Sequence, residues 1–353
     1  MILAEITGPY GEGGEEFVTS IRITRRAAIL GPILAPAVIR TARAAPITIR
    51  FSSSQPNNPK YANGRVYYDY LMTHLKANNL LDEIAIQFFP DNQLGQEIDV
   101  INSVKLGVVD MMVSGSSISA NLVPLVGVYD LGYMFNSFPQ QTKAFDSGAA
   151  RPIEDALLKG ANIRIIAWAY NFGSRSVLTK KPVKSPADLA GLKIRTLPNP
   201  VITECLRLMG AAATPLAAGE VYTALQTGVL DGLEHDPPTI LASKWYETVK
   251  YYTLTKHNFS PLAIYFSNVT FGRMNPQVRD RFLAAAQLAA LDTRTHGLAV
   301  EQEALQELQQ KGVNVLDCDR DAFRQRVLPQ TTAFVKAHPD AKPVVELIQG
   351  TSA

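Results

Sequence analysis

Ser185-Pro186-Ala187-Asp188-Leu189-Ala190-Gly191-Leu192-Lys193-Ile194-Arg195-Thr196 sets a helix start, a glycine stop and a strand one directly after another. Serine can cap a helix, proline is tolerated at its first position, and aspartate suits its positive N-terminus. Gly191 supplies the stop. Leu192 to Thr196 then reads as a strand, and Asn199-Pro200 opens a second helix that runs to Gly210. Such alternation is the unit of an α/β layer, a parallel sheet wrapped by helices.

The same grammar extends in both directions. Downstream, Glu220 to Thr227 is helical with Gly228 past its end, Val229 to Glu234 is a strand, and Pro237-Pro238 opens the next helix. Upstream, Ile47 to Ser52 and Ile84 to Phe89 are strands, Gln96 to Leu106 is a helix, and Asp110 to Val113 is a third strand, which together form a βαβαβ unit. Ile163 to Tyr170 is apolar enough for a central strand. After Pro261, Leu262 to Val269 is a strand, and Pro276 to Lys311 reads as one long helix rich in alanine, leucine and glutamine. A helix of that length rises far enough to brace two lobes.

A chain of 353 residues exceeds the size at which single cores stop growing, so two lobes are expected. The formal charge of +2, from 34 basic and 32 acidic residues, leaves no surplus for a phosphate backbone, and a nucleic-acid partner is not expected. Residues 1–44 read as an export segment. Thr24-Arg25-Arg26 precede an apolar run from Ala27 to Ile39, and Ala42-Arg43-Ala44 offers small residues for cleavage near Ala44. The paired arginines fit the twin-arginine route to the periplasm. The run is too short, and too interrupted by Pro32 and Pro36, to span a membrane. Cys205 lies in a helical pattern and reads as a buried free thiol, although an oxidising compartment would permit a bridge to Cys318.

In open α/β sheets, ligands bind beyond the carboxyl ends of strands, where helix N-termini also point. Arg195 ends its strand just before the Asn199-Pro200 helix start, so its planar fork and the free amides suit one carboxylate, with a surface ion pair as the alternative. Arg175 follows Asn171-Phe172-Gly173-Ser174 at an expected turn and is either a second clamp or a loop arginine. Glu234-His235-Asp236 closes another strand. Asp236 reads as the cap of the helix opening at Pro237, and His235 either meets the ligand or fills a polar niche. Trp245 and Tyr246 either wall the cleft or pack a helix, with packing the preferred reading. No serine elbow, phosphate loop, zinc helix or dinucleotide fingerprint is present, so neither enzyme activity nor a cofactor or metal is expected.

Pro90-Asp91-Asn92-Gln93-Leu94-Gly95 and Gly107-Val108-Val109-Asp110-Met111 resemble the first-lobe signature of the solute receptors of tripartite ATP-independent periplasmic (TRAP) transporters. Pro182 to Arg195 resembles that family's most specific motif, and Glu220 to Gly228 and Asp231-Gly232-Leu233-Glu234 are similar to its next two. The resemblance implies a two-lobed, class II-like periplasmic binding protein. Each lobe is then a mostly parallel sheet flanked by helices, a long helix spans both, and the cleft closes by a hinge on a small carboxylate ligand delivered to the transporter's membrane subunits. It places one lobe at 46–172 with 261–300 and the other at 173–260 with 301–353, in a monomer or homodimer. Arg195 and Arg175 match the family's carboxylate-binding arginines. His235 and Ala218 replace an asparagine and an aromatic residue of acid-sugar receptors, which points away from sialic acid. His235, Asp236, Gln96 and Glu97, with Asn171 and Asn199 beside the arginines, suit a hydroxylated acid such as a uronate or aldonate. The competing readings are a periplasmic enzyme acting on a carbohydrate acid, with His235 and Asp236 as base and acid, and a sensor that presents its ligand to a signalling receptor.

Overall fold

A computed structural model describes residues 45–169 and 172–351. The export segment expected at 1–44, its cleavage point and Asn171 lie outside the described residues.

The strands in chain order are β1 (Ile47–Ser53), β2 (Ile84–Phe89), β3 (Met111–Gly115), β4 (Ile163–Trp168), β5 (Ser174–Thr179), β6 (Lys193–Thr196), β7 (Ala212–Pro215), β8 (Gly232–His235), β9 (Tyr251–Phe259), β10 (Leu262–Ser267) and β11 (Asn314–Leu316). They form two sheets, of order β2-β1-β3-β10-β4 and β11-β9-β5-β8-β6-β7. Each sheet is parallel except for one strand. β10 runs against β3 and β4, with Ile264 opposite Val113, and β5 runs against β8 and β9, with Val177 opposite Glu234.

Those two reversed strands are the ones the chain enters on crossing between sheets, from β4 to β5 and from β9 to β10. The crossings pair with each other. Ala169 N donates to Leu262 O at 2.9 Å and Phe172 N to Ser260 O at 2.9 Å, so the two crossings are hydrogen-bonded to each other at both Ala169 and Phe172. A third link is the long helix Pro276–Gln310, about 50 Å long at 1.5 Å per residue. Asn275 Oδ1 caps it, accepting from Gln277 N at 3.0 Å. Its first half buries Phe282, Ala285, Ala286 and Ala289 against Phe51, Leu71 and Phe266 of the first sheet's core. Its second half buries Val300, Ala304 and Leu308 against Leu225, Leu233 and Ile240 of the second. Alanine on the contact face lets the helix lie close to both.

The stretch at 185–196 folds as a tighter version of the expectation. Pro186–Leu189 is a 3₁₀ turn, because Asp188 Oδ2 ties back to the amides of Lys184 at 2.9 Å and Ser185 at 2.8 Å. Helix Pro200–Met209 begins at Asn199 and ends at Gly210, whose φ of 116° is open to glycine and strained for other residues. A short motif recurs in the two sheets. In Gly107-Val108-Val109-Asp110 and Gly228-Val229-Leu230-Asp231 the aspartate carboxylate accepts a backbone N–H from the neighbouring strand, of Arg50 at 2.9 Å and of Lys193 at 3.0 Å.

Two expectations change. Arg175 lies within strand β5 and not at a turn, and β9 is a nine-residue strand where no element was expected. Cys205 and Cys318 are both free, Cys205 buried as expected.

Candidate functional site

Between the two sheets lies a cavity of about 280 Å³. Arg195 reaches it from the end of β6. The side chain is 1% exposed; Nε donates to Leu216 O at 2.8 Å, and Nη2 has no hydrogen-bond partner among the described residues. Burial brings the guanidinium down to about 10, against the raising pull of Glu234, so it still carries its charge at neutral pH. A buried, charged donor left unpaired is costly unless an acceptor meets it.

Arg175 is placed differently from the expectation. It is fully buried on β5 and does not line the cavity, because Glu234 on the adjacent β8 takes its fork: Nε donates to Oε2 and Nη2 to Oε1, each at 2.6 Å, and Nη2 also to Glu234 O at 3.1 Å. Burial opposes both charges, but the pairing prevails. It holds the arginine above its ordinary value and the carboxyl well below the usual range. His257 on β9 adds a contact at 3.5 Å from Nε2 to Glu234 Oε2. A three-strand charge network therefore stands directly behind the cavity wall.

His235 forms part of that wall. Its Nδ1 meets the Asp236 carboxylate and its Nε2 lies 3.3 Å from Arg175 Nη1. Burial and the neighbouring arginine lower the imidazole to about 4, so at neutral pH it is uncharged. With the Nδ1 proton turned to Asp236, Nε2 accepts from the arginine. The ring sits edge-on to Phe172 at 5.2 Å and tilted to Trp245 at 5.5 Å.

Asp236 is an orienting residue outside the lining, and Oδ2 caps the following helix by accepting from Thr239 N at 3.3 Å. Gly173 makes this arrangement possible: its φ is 85°, and a Cβ there would fall 1.9 Å from Asp236 Cβ.

Asn199 also departs from the expectation. Both ends of its amide are spent, Oδ1 on Val201 N and Ile202 N at 2.8 and 3.0 Å, and Nδ2 on Ser117 O and Asp130 Oδ2 at 2.7 and 2.9 Å. It joins the helix start to the segment after β3 and does not line the cavity. Asp130, donated to by Ser117 Oγ at 2.5 Å, is pushed up to about 7 by burial.

Glu97 lines the same cavity as Arg195, with Oε1 accepting from Ser114 Oγ at 2.5 Å. Gln96 is not among the lining residues but packs against one of them. Gly219 comes so close that an added Cβ would lie 2.8 Å from Gln96 Nε2, and Gln96 Oε1 and Asn92 Oδ1 are buried without partners among the described residues. Of the expected site residues, then, Arg195, Glu97 and His235 meet in one cavity.

Missed were Ser54 and Gln55 past the end of β1, Asn92 past β2, and Thr239 and Ser243 beyond β8. Ser54, Gln55 and Asn92 were findable by the strand-end rule that singled out Arg195. Trp245, for which packing was preferred over walling the cleft, does both. Among the described residues no group of His, Cys, Asp and Glu is arranged to hold a metal ion.

The model of bacterial extracellular solute-binding protein family 7 matches residues 71–337 of this chain. The chain belongs to that family. The 2,3-diketo-L-gulonate-binding periplasmic protein YiaO of Escherichia coli is 31% identical over 281 residues, 77% of this chain and 85% of that protein. The crystal structure of a TRAP periplasmic solute-binding protein of Roseobacter denitrificans with bound β-D-glucuronate superposes with a TM-score of 0.81 at 29% identity, covering 87% of this chain and all of that one. A TRAP receptor of Sulfitobacter with bound β-D-galacturonate superposes equally well, at 26% identity over 86% of this chain and all of that one. In this family 7 receptor the cavity lies at the carboxyl ends of β1, β2, β6 and β8, as the topology of parallel sheets requires.

Proposed function

We propose that the protein is a periplasmic receptor that captures a hydroxylated sugar acid, of the hexuronate or aldonate class, and presents it to a TRAP transporter without altering it. The observation that carries this reading is Arg195, a buried guanidinium in the cavity lining whose Nε is fixed on Leu216 O while its Nη2 has no partner among the described residues. A carboxylate completes that fork. Burial of Arg195 itself, 1% exposed, keeps the pair out of water, where its attraction is strongest. Sugar hydroxyls then meet Glu97, Gln55, Asn92 and Thr239, while Trp245 and Phe172 offer apolar faces to the ring. The sugar acids named for the relatives point to the same class.

Arg175 acts here by positioning, since it holds Glu234 and polarises His235. The two lobes are taken as 46–172 with 261–300 and 173–260 with 301–353, supported by the sheet that each segment joins. Residues 1–44 serve export, with cleavage near Ala44. Capture proceeds by rotation about the β4–β5 and β9–β10 crossings.

The test is a thermal-shift and calorimetric panel on protein beginning at Ala45, stripped of carried-over ligand by unfolding and refolding. Hexuronates, aldonates, 2-oxo acids and neutral hexoses are compared. A ligand at a hundredfold excess over its Kd stabilises the fold by about 2.7 kcal/mol. A rise with sugar acids and none with the neutral sugars is expected, with the acid recovered unchanged by NMR. Equal shifts with neutral hexoses would refute the carboxylate assignment, and turnover of the acid would refute the receptor reading.

A further inference from the structure

The cavity lining carries a single cation and two carboxylates. The cation is Arg195, since Arg175, the other buried arginine nearby, is outside the lining and neutralised by Glu234. Glu97 opens helix Glu97–Leu106, 7% exposed, with Ser114 Oγ as its hydrogen-bond donor and no cationic partner within ion-pair distance among the described residues. Asp91, from the loop after β2, is the second lining carboxylate. An ionised carboxylate only accepts hydrogen bonds, so the ligand atoms that meet Glu97 must donate.

We infer that Glu97 is a specificity-determining residue that admits acids with a single carboxylate and a hydroxyl-bearing far end, and rejects diacids of the same carbon skeleton. The inference rests on the receptor reading above and adds the chemical class of the ligand's second end. A diacid with one carboxylate seated on Arg195 brings its second into a lining that offers no other cation and already carries Glu97 and Asp91, and like charges repel. A hydroxyl in the same place donates to Glu97 and replaces the water it loses.

D-gluconate and D-glucarate isolate this difference, since they are open chains that differ at one end by CH₂OH against COO⁻. Their Kd values, with that of D-glucuronate, are measured by calorimetry on the mature protein and on Glu97→Gln. The wild type is expected to bind D-glucarate at least about a hundredfold more weakly than the better of the two monoacids. Glu97→Gln is expected to narrow that ratio at least about tenfold. Ser114→Ala, which keeps the charge, should leave the ratio unchanged. Should Glu97→Gln not fold, the double variant Glu97→Ala with Ser114→Ala removes the charge together with its donor and is read in the same way. Wild-type binding of D-glucarate within threefold of a monoacid, or an unchanged ratio in the neutral variant, overturns the role of Glu97 while leaving the receptor reading intact. Failure of every monoacid to bind the wild type overturns the receptor reading and the inference with it.

Discussion

Replacing Arg195 by methionine should make the ligand-free protein more stable and destroy binding, two effects of opposite sign from one substitution. Burial brings the guanidinium from its ordinary 12.5 to about 10. At about 1.4 kcal/mol for each tenfold change in proton affinity, roughly 3 kcal/mol is held against the charged form. The substitution also removes the Nε bond to Leu216 O, a loss of about 1 kcal/mol. Methionine fills similar space without charge, as in other cases where buried ionic groups give way to apolar ones. The net gain is about 2 kcal/mol, near 4 °C in Tm at roughly 2 °C per kcal/mol for a chain of this size. Loss of one partner of a desolvated pair costs binding about 2–5 kcal/mol, roughly thirtyfold to several thousandfold in Kd. The assay is differential scanning calorimetry without ligand, paired with titration of the best sugar acid from the panel. A variant that melts lower than wild type while free would show that Arg195 is satisfied by the protein alone. Unchanged affinity would remove it from the site.

Asp130 sits among Ser117, Asn199, Arg175 and Glu234, and its carboxyl is raised to about 7. The folded state therefore keeps a proton that the unfolded chain releases near pH 4; the associated stability is complete below that pH and is lost as pH rises through about 7. His235, lowered to about 4, and Glu234, also lowered, act in the opposite sense, so the contribution is read as a difference. The Tm of Asp130→Asn minus that of wild type should grow by several degrees from pH 4.5 to 7.5, and parallel melting curves would contradict the assignment. Gly173→Ala should cost at least about 3 kcal/mol, because alanine must adopt a φ of 85° with its Cβ 1.9 Å from that of Asp236. A variant melting with wild type would show that the backbone relaxes there.

Much of the fold was legible because its signals are local. Proline and glycine punctuation bounded the helices at 200–209 and 97–106, and the alanine-rich run announced the helix at 276–310 to within one residue of its end. β9 was not, since Tyr251–Phe259 intersperses threonine, lysine, histidine and asparagine in a strand whose burial comes from neighbours on both sides. Its polar residues are buried by β5 and by the crossing segments, which no window of nine residues contains. Arg175 illustrates the same limit. Its position after Gly173 suggests a loop, and only the pairing of β5 with β8 reveals Glu234 as its partner, 59 residues away in the chain.

The sequence by itself determined the α/β class, the two sheets joined by a long helix, and the candidacy of Arg195 and His235, because helix caps, strand periods and strand-end positions are encoded within a few residues, while Glu97 became a candidate only through the family resemblance. Tertiary structure alone decided which charged groups are free. Arg175 and Arg195 look alike in sequence, both next to or within a strand and both ready for a carboxylate. Folding brings Glu234 to the first and none to the second. The difference arises because the Coulombic and desolvation energies of a guanidinium depend on what lies within a few ångströms in space.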